Sequence, residues 1–562
     1  MLHRNPPAAA ATILLAICSI IGITTVSAND SPTAETVRTS STAASAPRLA
    51  PLLDGIGPLR FTISTSEPRA QAYFNQALTL AFGFNHAEAV RSFREAARLD
   101  PTCGICYWGV ALALGPNINA PMSAEAVAPA WQAVQHALAL RKFENAREQA
   151  YIDAIVTRYS ESGEDRATLD LLYATAAANV AKQFPDDLHA RTLHAEALMD
   201  LMPWEYWNDD GSARNEHTLT LVNELEHVLA RNPDHPGAAH LYIHAMERFE
   251  PFKAEAAADR LGPLVPVAGH LVHMPSHIYL RVGRYADAVD ANARAAMADE
   301  DYIAQCNAQG LYPAAYYPHN VHFLWYSAMM EGRRTLAVEN ALKLAERVPV
   351  AVAKQMGALQ SYIAVPMYTY VRFGMWQDAL NLEAPDEDLP YAYAMHLYGR
   401  AMAQAATGDL RAARTTARQL KRVARSDAIK NLNMRRAGVT PNLMEIAMQL
   451  VQARIQRAAS NSRRELRALA KAVEAQDALP YAEPPLWHFP VRQALGEAQL
   501  RAGLHGDAQK TFEEDLQHFP RNPWSLFGME QALTAQNQNT DELRAQRVHA
   551  WRNADIDPLI NH

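Results

Sequence analysis

From Glu67 to about residue 540, apolar positions recur at three- and four-residue steps, the spacing of one helix face. They come in pairs of segments separated by short turns. In the first pair Tyr73 and Ala77 fall on one helix, Ala89, Phe93 and Ala96 on the next, and Pro101 closes the unit. Small residues stand where two helices cross, and large ones where they fill the gap. Comparable units recur. One closes in ARNPDHPGAAHLY, and others contain RVGRYADAVDANARAAMAD, MEGRRTLAVENALKLAERVP, ATGDLRAARTTARQL and RAGLHGDAQKTFEEDLQHFP. The expected fold is all-α: stacked helical hairpins, each burying its apolar face against the next.

The flanks read differently. Residues 1–28 have a basic Arg4, an apolar stretch centred on Ile13 to Ile23, and the small-residue site Val26-Ser27-Ala28, the pattern of a cleaved export signal. Cys18 follows Ile17, where a lipid-anchored signal wants a small residue. Residues 29–50 are rich in Ser, Thr, Ala and Pro and read as a flexible linker. Residues 51–66 are β-prone and punctuated by Gly and Pro, and read as a short extended arm. The helical part divides into an N-terminal array, 67–350, and a C-terminal array, 351–540, followed by a polar tail, 541–562.

Period and small/large pattern together resemble the tetratricopeptide-repeat (TPR) superfamily across most of residues 67–540. The chain also resembles a large group of mostly uncharacterised exported bacterial TPR proteins. They share strings such as FNHAEAVRSFREAARLDP, CYWGVALALGPNIN, NPDHPGAAHLYIH, HLVHMPSHIYLRVGRYADAV and YYPHNVHFLW, which stand here at 84–101, 106–119, 232–244, 270–289 and 316–325. The resemblance implies a right-handed TPR-type α-solenoid whose concave groove takes a peptide or a partner protein; a small molecule there is the expectation from the candidate metal site and loops. The resemblance implies no particular activity.

Histidine carries the candidate chemistry. His240 and His244 are four apart, as are His273 and His277, and the two pairs are separated by 33 residues, one repeat. His319 and His322 follow after roughly one more repeat and a loop. Residues four apart share a helix face, so these six imidazoles could line one wall of three neighbouring helices. Glu196 and Asp200, four apart on the preceding helix, lie 44 residues before His240 and His244. The donor set His240, His244, His273, His277, His319, His322 and Glu196 suits a divalent transition metal such as Fe, Cu or Zn. His270, Glu247 and Asp200 are placed to orient the ligands. Leu241 after His240 excludes the zincin pattern. Pro275, within an otherwise periodic stretch, is expected either to kink one helix or to begin a second.

Three cysteines follow the expected cleavage point. Cys103 and Cys106 are three apart at a helix start and could form a small local disulfide or pack as thiols, while Cys306 sits in an insertion. The loops 115–122, 203–207 and 311–320, rich in Asn, Pro and aromatics, could close over the groove or pack on the edge of the array. Net charge is −8, which argues against nucleic acid as the main partner, and the basic run from Arg411 to Arg425 reads as a solvated helix face. Beyond the signal no stretch is long and apolar enough for a stable membrane span. The expectation is a periplasmic or secreted repeat protein with a metal site in its groove, where metal-assisted hydrolysis and oxidation are both open. The alternative is a non-catalytic scaffold that docks proteins in the same groove.

Overall fold

The computed structural model describes residues 48–162, 165–306, 315–432, 434 and 438–556. The expected export signal at 1–28, most of the linker and part of the loop 311–320 lie outside the described residues. The described chain is all-α. Among the described residues no β-strand occurs, only two isolated bridges that close loops, Asn117 with Ala120 and Trp207 with Ala213.

The chain divides into two units, one over residues 48–275 and 297–306, the other over 276–296 and 315–556. In the first unit α1 (Pro68–Phe82) pairs with α2 (His86–Leu99), and α3 (Gly104–Leu114) with α4 (Ala124–Leu140). Next, α5 (Ala146–Val156) pairs with α6 (Arg166–Gln183), α7 (Leu188–Asp200) with α8 (Glu216–Arg231), and α9 (Pro236–Met246) with α10 (Glu255–Leu264). The short α11 (Gly269–His273) opens the next repeat. The odd-numbered helices are the first of each hairpin. Short turns and sequential pairing are the α-solenoid construction that the periodicity predicts.

Helix starts follow simple chemistry. Pro68 stands at the first turn of α1 behind Glu67, whose carboxylate accepts from the Arg69 amide. Pro236 does the same in α9 behind His235, whose Nδ1 accepts from the Ala238 amide at 3.1 Å. Close crossings require glycine: a Cβ at Gly237 would come within 2.6 Å of the Phe82 ring, so α9 packs on α1 only because position 237 has none.

The arm at 51–66 stays outside any helix and lies along the first unit. Its amides are held by side chains: Leu53 donates to Gln76 Oε1 at 2.8 Å, Phe61 to Asn75 Oδ1 at 3.1 Å, Ile63 to Gln71 Oε1 at 2.9 Å and Ser64 to Glu148 Oε1 at 2.9 Å. Phe61 is fully buried among Phe74, Trp108, Tyr151 and His189.

The second unit contains α12 (Pro275–Val282) from Ser276 onward, the first part of α13 (Tyr285–Cys306), and the pair α14 (Tyr317–Glu331) and α15 (Arg334–Glu346). After α16 (Val350–Gln355) and α17 (Gln360–Ile363), α18 (Val365–Arg372) is followed by α19 (Trp376–Asn381). Then come α20 (Pro390–Ala406) with α21 (Leu410–Ala424), α22 (Asp427–Lys430), and α23 (Val439–Ala458) with α24 (Ser462–Asp477). The unit closes with α25 (Val491–Arg501) on α26 (His505–His518) and α27 (Pro523–Ala535) on α28 (Asp541–Ala550).

Two places sharpen the sequence reading. The periodic stretch through Pro275 is divided: α11 ends at His273, α12 begins at Pro275, and Met274 between them keeps helical φ and ψ. Proline has no amide to donate to the carbonyl four residues back, so the ladder stops there. The polar tail is also ordered as far as residue 556. It contains α28, and beyond it the Asp555 carboxylate accepts from the Arg334 and Thr335 amides, capping α15, while Asn553 donates to Glu331 at 2.7 Å.

Candidate metal centre

Two first-of-hairpin helices of the first unit, α9 and α11, carry the chemistry. On α9, His240 and His244 project one turn apart, with ring centroids 4.8 Å from each other. On α11, His270 brings its ring within 5.0 Å of His240 and 6.3 Å of His244. One ligand nitrogen from each of the three can be chosen so that all lie within 4.8 Å of one another, and all three side chains are buried.

Tautomer follows from geometry. His240 Nδ1 lies 2.5 Å from the Phe82 carbonyl, which can only accept, so the proton sits on Nδ1. In the neutral ring Nε2 is then the lone-pair nitrogen, the arrangement by which proteins orient a metal-binding histidine. Glu247, at the end of α9 and buried, places Oε2 3.6 Å from His244 Nδ1. A tetrahedral ion with metal–nitrogen bonds of about 2.0–2.1 Å needs nitrogens roughly 3.3 Å apart.

Two aromatics frame the group, and both are strained. Phe84 has φ +56° and Trp204 φ +65°, left-handed values that side-chain-bearing residues avoid. Phe84 occupies the position after α1 where glycine is favoured: its amide bonds to Ala81 O and the Asn85 amide reaches back to Leu80 O. That conformation sets its ring 4.5 Å from His240, 5.5 Å from His270 and 6.3 Å from His244. The Trp204 ring meets His244 edge-on at 4.9 Å. Strain of this kind persists where the surroundings over-determine it, and it concentrates at functional sites.

The acidic partners expected on α7 stand apart from the three rings. Asp200 is tied to Arg158, whose Nη2 donates to it at 2.7 Å. Burial lifts the Glu196 carboxyl to about 7 against the opposing field of Arg158. Neither joins a three-donor histidine group among the described residues. His86, at the start of α2, is pushed down to about 4 by burial and by Arg158. His273 is fully buried one turn after His270, with ring centroids 5.8 Å apart.

The second unit holds the remaining histidines. His277 Nδ1 lies 2.9 Å from Glu483 Oε2, and its ring is 5.9 Å from that of His319, with Phe323 against both. His322 faces elsewhere: its ring stacks on Trp325 at 5.3 Å and touches Tyr362. Cys103 and Cys106 are joined as a disulfide at the start of α3, with Cα atoms 5.4 Å apart.

Sequence reasoning places His240 and His244 together but assigns His270 to a supporting role, and it does not single out Phe84 or Arg158. The only trace of Phe84 is the string FGFN at a helix end, where the residue after the glycine takes the left-handed turn, and Arg158 leaves none.

No protein-family model matches the sequence, and no curated protein matches it. Solved structures found to match include the human IFIT1 dimer with PPP-AAAA, 12% identical over 87% of this chain and 91% of that one, TM-score 0.27. Yeast Tom70 is 11% identical over 86% and 93%, TM-score 0.27, and the P58(IPK) TPR domain 10% identical over 83% and 98%, TM-score 0.22. At these scores the likenesses add nothing to the fold, which rests on the helices described above.

Proposed function

We propose that this chain is an exported helical-repeat protein that holds a divalent transition-metal ion on His240, His244 and His270, and that a small molecule or peptide is bound or processed beside it. The observation that carries the reading is the convergence of three buried imidazoles, one with its tautomer set by a backbone carbonyl, under two strained aromatics. Nitrogen donors of this type favour Zn, Cu, Fe or Ni over Mg or Ca. A bound ion would supply a Lewis acid in a water-poor setting. Export is supported by the n-region, apolar core and small-residue site of residues 1–28.

Titration with Co(II), followed by visible absorption, tests the metal reading. One equivalent should bind with the intense bands of low-coordinate cobalt. His240→Ala and His270→Ala should each weaken binding at least tenfold, whereas His227→Ala, exposed on α8, should not. Octahedral, weak spectra in every variant would end the proposal.

A second reading, non-catalytic docking of an extended peptide, is favoured by the arm. Gln71, Asn75 and Gln76 on α1 and Glu148 on α5 already hold an extended backbone by its amides. A metal-free protein that binds peptides only after the arm is deleted would support this reading over the first.

A further inference from the structure

A cavity in the second unit is lined by more positive than negative charge. Arg372 at the end of α18, Arg454 and Arg457 on α23 and Arg501 on α25 bring four guanidinium groups to it. Glu465 and Glu497 are the two carboxylates in the lining, which leaves an excess of two positive charges. The space measures about 80 Å³, room for a group of a few heavy atoms.

Arg372 is the informative member. It is 6% exposed, and its Nε and one terminal nitrogen make no hydrogen bond among the described residues. Its plane is fixed by aromatics: the guanidinium sits 3.8 Å from the Trp524 ring centroid and 5.3 Å from that of Phe489. Arg454 is likewise set over Trp376 at 4.8 Å. The nearby acids are committed elsewhere or shared. Asp515 accepts from Ser525 at 2.6 Å and Asn522 at 2.9 Å, and Glu465 from Arg501 at 2.6 Å. Glu497 lies 3.9 Å from Arg501. Burial pushes Arg372 and Arg454 down to about 10, and Arg457 and Arg501 add to the pressure on Arg454. A buried guanidinium with unused donors costs free energy, and an oxyanion removes that cost by accepting from the planar fork.

We infer that this cavity binds a compact oxyanion of phosphate type, with Arg372 and Arg454 as its principal donors. The two excess charges match a dianion. The small volume admits the phosphate group and leaves any organic remainder outside.

The test is calorimetric titration of the mature full-length chain with inorganic phosphate at ionic strength held constant with KCl. One saturable site is expected. Arg372→Gln and Arg454→Gln should each weaken it at least tenfold, whereas Arg414→Gln, on the exposed basic face of α21, should leave it unchanged. Should Arg372→Gln lose its helical circular dichroism, Arg454→Gln alone decides. Absence of saturable binding, or binding that survives Arg454→Gln, overturns the inference. Vesicles of phosphatidic acid added to the phosphate-loaded protein separate the sources of the group. Displacement of phosphate assigns it to a lipid headgroup, and no displacement assigns it to a soluble phosphate compound.

Discussion

Phe84 concentrates the argument at the scale of one residue. A left-handed phenylalanine costs about 1–2 kcal/mol relative to a relaxed backbone. Phe84→Gly removes that cost but also removes a buried ring, a loss of about 3–5 kcal/mol. The net expectation is a destabilisation of about 1–4 kcal/mol in urea unfolding, with weaker Co(II) binding because three imidazoles lose the surface they pack on. A more stable variant with unchanged affinity would show that the strain serves nothing. Glu144 makes a pH prediction. Its carboxylate accepts from the Ile105 amide at the start of α3, and burial, with the neighbouring Glu148, lifts it to about 8. The folded chain keeps a proton that the unfolded chain has released, so this contribution is complete below the ordinary carboxylate value and is lost as pH rises to about 8. Between roughly pH 5 and pH 8 the wild-type melting temperature should fall more steeply than that of Glu144→Gln. Parallel curves would remove the assignment.

At the scale of the element, the crossing of α1 and α9 holds the site together, because the Phe82 carbonyl that orients His240 belongs to α1. Gly237→Ala forces a methyl group against the Phe82 ring. Overpacking of this sort costs about 1–3 kcal/mol, and here it should also loosen metal binding by moving the carbonyl. Thermal melts with and without Co(II) check it: equal losses in both would confine the effect to packing. Element type is legible in the sequence because helix periodicity and hairpin turns are local. The 33-residue step between His240 and His273 can be read directly, but not which turn of α11 faces α9. That depends on the lateral shift of one helix against another, and the shift brings His270 to His240 at 5.0 Å. The end of the chain hides its structure for a related reason: Asp555 and Asn553 are polar, and only their long-range partners at the start of α15 and on Glu331 make them structural.

At the scale of the whole molecule, the proposal joins export, a helical-repeat groove and a metal. The export part predicts a mature mass beginning at Asn29, and intact-mass spectrometry of protein from the producing cell's exterior or periplasm checks it; a mass that retains residues 1–28 contradicts it. The central claim is the three-histidine centre, and elemental analysis of the purified mature protein tests it most directly. The account predicts close to one equivalent of Zn, Cu or Fe per chain, reduced to background in the His240→Ala/His270→Ala double variant while the helical circular dichroism is kept. Wild-type protein without stoichiometric metal, or a double variant that keeps its full complement, would contradict it.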